Sequence, residues 1–307
     1  MLFQPKAADP QIGDALVSTD LGRRWGADSE YGRLTDVMIA APRHLELVPC
    51  NAVSIENRKN GVTCSPEVAS RQHADLIRVL EAAGVRCHLV QPDPTLPDLA
   101  FTRDATLMTP WGLIGLRPAV DHRSAEVDHI LKSAAAWGVP TLGRISEGRV
   151  EGGDVCLLRP GVVAIGYSGE RTDRQGAEGL ARFFEARGWR AILTTFESEF
   201  LHLDTQFTMI DRGRAVACVE ALDEAFLLEL QYLGIEIMSV SYDEVRKLGS
   251  NLFSLGARRL LSPSDNIRVN AALERLGYKV FALEIDQFTR CGGGMHCLTM
   301  PLARLPG

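Results

Sequence analysis

The sequence predicts an α/β ring assembled from five repeats of one ββαβ unit, and three observations carry that prediction. First, a helical stretch, a glycine and a short β-branched strand recur in the same order five times. The glycines fall at 84, 138, 188, 234 and 277, about fifty residues apart, a period that marks a repeat architecture. Each stands where a left-handed residue closes a helix. Second, the units carry a pair of short apolar segments with a turn in the middle, which reads as a hairpin. Third, the fifth hairpin has only its first half, at 298–300, and its natural complement is the strand at 34–42, at the other end of the sequence. Five units that close head to tail make a ring of α/β blades. An open doubly wound sheet would have neither the hairpins nor the period.

Taken in order, residues 1–32 carry little pattern and read as an N-terminal arm. Leu34 to Pro42 is a strand stopped by proline. Residues 43–65 hold Pro49, Asn57, Asn60 and Gly61 and read as an irregular loop, long enough to be a candidate lid. The helices then run Leu76–Ala83, Ala125–Trp137, Ala177–Arg187, Ala225–Leu233 and Val269–Leu276, each followed by its glycine and strand. The hairpins run 106–116, 155–165, 207–217 and 251–261. Stripes such as Leu76, Ile77 and Leu80, or Leu180, Phe183 and Phe184, have helical spacing and belong to the core. No composition shift divides the chain, so 1–307 reads as one domain.

The composition, 46% hydrophobic and 23% charged over 307 residues, is that of a soluble globular protein. Thirty-three Lys and Arg against 39 Asp and Glu give a net charge of −6, which argues against nucleic acid or an anionic membrane as the main partner. No apolar run is long enough to cross a bilayer, and residues 1–20 lack the basic-then-apolar order of a secretion signal. The seven cysteines are scattered without a CxxC pair, as free thiols of a cytoplasmic protein are; a disulfide framework or zinc site fits poorly. Oligomeric state is not legible, and a homodimer is the default for a soluble enzyme.

The polar residues of interest fall into the five connections that lead from a post-glycine strand to the next hairpin. These hold Phe101-Thr102-Arg103-Asp104, Glu151-Gly152-Gly153-Asp154, His202-Leu203-Asp204-Thr205, Gly249-Ser250-Asn251, and Gly292-Gly293-Gly294-Met295-His296-Cys297. Equivalent places in a ring converge on its axis, so several carboxylates, a histidine and a cysteine are expected to meet there. Cys297, behind three glycines that permit close approach, is the candidate nucleophile and His202 its acid–base partner. Asp104, Glu151 and Asp204 would raise the thiol pKa unless a cation is bound beside it. A planar cation with several N–H donors, a guanidinium or amidinium, suits paired carboxylates; a divalent metal is the rival occupant.

These five motifs, with Gly166-Tyr167-Ser168-Gly169-Glu170-Arg171-Thr172, resemble in order those of the guanidine-modifying superfamily: arginine deiminases, dimethylargininases, agmatine deiminases and amidinotransferases. The resemblance spans roughly residues 100–300. It implies a five-bladed α/β propeller and a small-molecule guanidino substrate, with no metal and no organic cofactor. It further implies that Cys297 attacks the guanidino carbon to give a covalent thiouronium intermediate, and that His202 protonates the leaving amine and then deprotonates water. Asp104 and Asp204 would grip guanidinium nitrogens, Glu151 would orient His202 or share that grip, and Arg171 would receive a substrate carboxylate. Arg117 is a second candidate for that role, with Asn251 and Phe101 as further substrate contacts. Asp154 is expected to bond backbone, His296 to act through its backbone alone, and Cys291 to be structural or a redox-sensitive bystander.

Chain length is nearer to dimethylargininases than to arginine deiminases. Asp204, two residues after the histidine, departs from the dimethylargininase pattern and favours a substrate whose terminal nitrogens keep their hydrogens. The expected activity is therefore hydrolysis of arginine or a similar guanidino acid. Dimethylargininase, amidinotransferase and a non-catalytic arginine-binding protein are the alternatives.

Overall fold

The structure is a computed structural model that describes residues 3–4 and 25–306. The rest of the expected arm, at 1–2 and 5–24, lies outside the described residues.

Five small sheets carry the chain, and each has the same topology. Blade one pairs Thr106–Thr109 antiparallel with Gly112–Gly115, which runs parallel to Thr141–Ile145. Residues 3–4 add a short antiparallel edge to it. Blade two repeats the pattern with Val155–Arg159, Val162–Tyr167 and Arg190–Thr195. Blade three uses Phe207–Asp211, Arg214–Ala217 and Glu236–Ser239, and blade four Phe253–Gly256, Arg259–Pro263 and Lys279–Leu283. Blade five is built from both ends of the sequence. Met300–Leu305 lies antiparallel to Arg33–Ala40, which is parallel to Arg86–Val90. The ββαβ ring read from the sequence is the ring observed.

One helix crosses from the second to the third strand of every blade: Pro66–Ala82, Ser124–Ala136, Arg174–Glu185, Glu224–Tyr232 and Ile267–Arg275. Their starts follow local chemistry. Ser65 and Asp173 each accept a backbone N–H from the third helical residue, and Pro66 occupies the first position of its helix, where its missing N–H costs nothing. Their ends follow the repeat glycines, all five of which have φ between 70° and 83°. Apolar residues three and four apart are buried, as with Ala69, Leu76 and Leu80 in the first helix. In the third, Leu180 and Phe184 are buried, and Phe184 meets Trp111 and Trp189.

Two expectations are corrected. Residues 43–65 are not irregular throughout. Ala52–Lys59 is a helix, started by a reciprocal capping box between Asn51 and Ser54. Only Ser54 of that helix is buried, so no apolar period announces it. Nor are residues 25–32 a loose arm. Gly26 exchanges backbone hydrogen bonds with Leu302 and Arg304 of blade five, and the Glu30 amide donates to the Leu157 carbonyl of blade two. This segment laces the closing blade to the rest of the ring.

Truncating Phe184, fully buried among aromatic rings, to alanine is expected to cost about 3–5 kcal/mol. Tyr232→Ala, at an 81% exposed position, should stay within about 0.5 kcal/mol. Urea unfolding of the two variants checks both.

Candidate active site

The five connections meet at the centre of the ring, where three of them form single helical turns, Thr102–Ala105, Gly152–Asp154 and Leu203–Thr205. Each turn presents a buried acidic side chain. Close packing requires glycine at two places. A Cβ on Gly153 would stand 2.7 Å from the His202 ring, and one on Gly293 would collide with the Phe101 ring. The glycines of these motifs therefore set how near the connections come to one another.

His202 and Glu151 are fully buried and joined by a 2.7 Å contact between Nε2 and Oε2. The other ring nitrogen, Nδ1, lies 3.8 Å from Asp104 Oδ1. Burial works against a charged imidazole here, but Asp104, Asp154 and Glu151 outweigh it and raise the His202 pKa from 6.5 to about 10. Burial likewise opposes ionisation of Glu151, yet the bond to His202 and the charge of Arg171 hold its carboxyl well below the usual range. Glu151 also accepts the Ala119 amide at 2.9 Å. Asp154 accepts the Leu203 amide at 2.9 Å, the backbone role expected of it, and burial raises its pKa to about 7.

Cys297 sits across from this pair, 2% exposed. Its Sγ is 3.7 Å from Asp204 Oδ2 and 3.3 Å from Asn251 Nδ2, which also donates to the Asp204 carbonyl. Burial, with Asp204 and Asp104 adding to it, pushes the thiol pKa well above 9. The surroundings thus favour the neutral form of the thiol and the protonated form of the histidine. The His296 side chain is engaged, contrary to the expectation of a backbone-only role. Its Nδ1 is 2.8 Å from Asp204 and its Nε2 3.4 Å from Glu30, and Glu30 in turn meets buried Arg103 at 3.5 Å.

Two arginines face the same cavity. Arg171, 2% exposed, contacts Glu151 at 3.2 Å and donates to the Cys50 carbonyl at 2.6 Å. Arg123, which sequence reasoning missed, contacts Asp104 at 2.6 Å and Glu126 at 2.9 Å and donates to the Phe101 carbonyl. Arg117 is not brought to the site. It is exposed, donates to the Ser146 carbonyl and lines a separate surface hollow. The 3-10 turn Asp121–Arg123 directs the later arginine inward instead. The residues around the thiol include Cys50, Asn51 and Leu201 as well as Phe101, Asp104, Arg123 and Arg171, and the space they enclose is only about 20 Å³.

Among the described residues, two groups of donors are close enough to hold a metal ion: Asp104, Glu151 and His202, and at the mouth Cys50, Asp98 and His122. In the first, Asp104 and Glu151 already pair with Arg123 and Arg171, and His202 is bonded to Glu151. In the second, His122 and Asp98 are bonded to each other at 2.7 Å.

Residues 47–304 match the model of the eukaryotic N,N-dimethylarginine dimethylhydrolase family. An N(G),N(G)-dimethylarginine dimethylaminohydrolase of Pseudomonas aeruginosa is 26% identical over 235 residues, covering 76% of this chain and 87% of that protein. An arginine deiminase of Mycobacterium bovis is 29% identical over 282 residues, covering 78% of this chain and 68% of that enzyme. Among solved structures, the substrate-bound N-terminal domain of ArgZ, a cyanobacterial arginine dihydrolase, superposes with a TM-score of 0.77 at 19% identity. That match covers 88% of this chain and 98% of the other, and establishes the shared propeller fold.

A histidine whose folded pKa is raised stabilises the protein below its unfolded value and loses that contribution as pH rises through the folded one. The thermal midpoint of the protein should therefore fall between pH 6.5 and about 10, and fall less steeply in His202→Asn. Imidazole NMR at pH 8 should show His202 protonated, and Glu151→Gln should move its titration downward.

Proposed function

The chain belongs to the N,N-dimethylarginine dimethylhydrolase family, a hydrolase acting on C–N bonds of amidines, and on that premise we propose that it hydrolyses the guanidino group of free arginine or a close guanidino acid. One observation carries the choice of substrate. Asp104 Oδ1, Asp204 Oδ1 and His202 Nδ1 are buried beside the thiol and have no hydrogen-bond partner among the described residues. Two unpartnered carboxylate oxygens demand N–H donors, and leaving such groups unpaired is costly. An unsubstituted guanidinium offers five donors in a plane. A dimethylated terminal nitrogen has none to offer Asp204.

The geometry supports the following course. A guanidinium arriving between Asp104 and Asp204 places a positive charge beside the buried thiol and offsets the two carboxylates that add to the effect of burial, so the thiol releases its proton to solvent. The thiolate forms a bond to the guanidino carbon, giving a tetrahedral adduct. The protonated His202 donates to the departing nitrogen, the C–N bond breaks, ammonia leaves and a thiouronium ester remains. His202, now neutral, takes a proton from water as its oxygen attacks the same carbon. The C–S bond breaks, and a ureido acid departs. Arg171, whose Nε is also buried and without a hydrogen bond among the described residues, and Arg123 line the same cavity and would hold a carboxylate.

The enclosed space is far too small for such a substrate, so the 43–65 segment, which supplies Cys50 and Asn51 to the cavity wall, must move to admit it. A second reading, hydrolysis of dimethylarginine, is favoured by the family model that the chain matches.

Purified protein given arginine should yield a ureido product and ammonia, and the yield should not shift to a transferred product when ornithine-type or glycine-type amines are added. Faster turnover of dimethylarginine than of arginine would reverse the substrate assignment, and turnover of neither would reduce the site to binding. Cys297→Ser should lower kcat by at least about a thousandfold. Arg123→Ala should raise KM by about tenfold or more, whereas Arg117→Ala, away from the site, should leave it within about twofold.

A further inference from the structure

Outside the catalytic cluster, the described residues hold one pair of thiols in contact. Cys64 Sγ and Cys291 Sγ are 3.4 Å apart, although 227 positions separate them. Both are free. Cys64 ends the lid segment and directly precedes Ser65, the cap of the Pro66–Ala82 helix. Cys291 directly precedes Gly292–Gly294 and lines the cavity over Cys297. The two partners differ in the way that thiol oxidation chemistry requires. Cys64 is partly exposed and Cys291 is 6% exposed. The contact with Cys291 lowers the Cys64 pKa, and the same contact, together with burial, raises that of Cys291. Catalysis as derived above uses neither.

The lid is already tied to the residues before the glycine loop without any covalent bond. Asn51 Nδ2 donates to the Cys291 carbonyl at 2.8 Å, Asn57 Nδ2 to the Arg290 carbonyl at 2.9 Å, and the Ser65 amide to Gln287 Oε1 at 2.8 Å. We propose that Cys64 and Cys291 form a peroxide-responsive dithiol that, once oxidised, pins the lid segment to the nucleophile loop and slows turnover. The Cys64 thiolate attacks one peroxide oxygen, the O–O bond breaks, hydroxide departs, and a sulfenic acid remains. The Cys291 sulfur then attacks that sulfur and displaces water. In sum two thiols and hydrogen peroxide give one disulfide and two waters. A thiol reductant reverses the step by exchange.

The effect on turnover rests on the lid having to move in the hydrolysis proposed above, whereas the disulfide itself does not, so the two are tested separately. The full chain is treated with hydrogen peroxide and followed by intact mass, thiol titration and non-reducing peptide mapping, with turnover measured in parallel. The expected result is a mass loss of two hydrogens, two fewer titratable thiols, and a peptide linking 64 to 291. With these should come a drop in kcat/KM of about fivefold or more that a thiol reductant restores, since lid motion gates turnover. Cys64→Ser should keep its untreated activity and lose the reversible response. Oxidation of Cys297 before any 64–291 link appears, or the absence of that link, overturns the dithiol. A formed link with unchanged turnover overturns the gating. If no guanidino compound is turned over, mass and mapping still decide whether the pair oxidises.

Discussion

Charge placed where water cannot reach must be neutralised by other charge, and the centre of this ring is organised by that constraint. Glu30, Asp104, Glu151 and Asp204 are buried at the axis. An unpaired ion in such a place costs several kcal/mol, and each of these carboxylates has a cation or a histidine beside it. The pairings form two chains. Arg123–Asp104–His202–Glu151–Arg171 runs along one side of the thiol, and Arg103–Glu30–His296–Asp204 along the other. The network satisfies most of its members with the protein's own arginines, yet leaves one oxygen of each aspartate nearest the thiol without a hydrogen bond among the described residues. The proposed preference for a planar cation rests on that small remainder, not on the gross number of acidic groups.

The repeat made most of this legible before any coordinates. Because the five glycines marked equivalent turns, the connections that follow them could be compared, and that comparison placed Asp104, Glu151, His202, Asp204, Asn251 and Cys297 together although nearly 200 positions separate the first from the last. What escaped notice lacked a repeating signal. Arg123 and Arg117 are two arginines six positions apart, and only the 3-10 turn at Asp121–Arg123 decides which points inward. Glu30 lies in a stretch with no periodicity, held by backbone bonds to blades two and five that no local pattern encodes. The helix at Ala52–Lys59 is polar on nearly every side, so its existence rests on a capping box and on contacts with residues more than 200 positions away.

The mouth of the site follows a different logic from its floor. On the floor, side chains of opposite charge fix one another from several blades at once. At the mouth, a short polar helix is attached through amide side chains to backbone carbonyls of residues 290 and 291. Bonds of that kind contribute about 1 kcal/mol each, so the same contacts that order the segment can be exchanged on the time scale of turnover. A rigid charged interior under a lightly held cover suits a reaction that must exclude water at one step and admit it at the next.

Blade five joins Met300–Leu305 to Arg33–Ala40, so the ring has a seam where the two strands of one hairpin are not neighbours in sequence. Cys297 lies three residues before that seam, and Glu30 three residues before its other strand. Closing so long a loop is slow and entropically costly, and until it closes neither Cys297 nor its supporting carboxylates are in place. The geometry of the central cluster thus depends on one pairing between strands from opposite ends of the sequence.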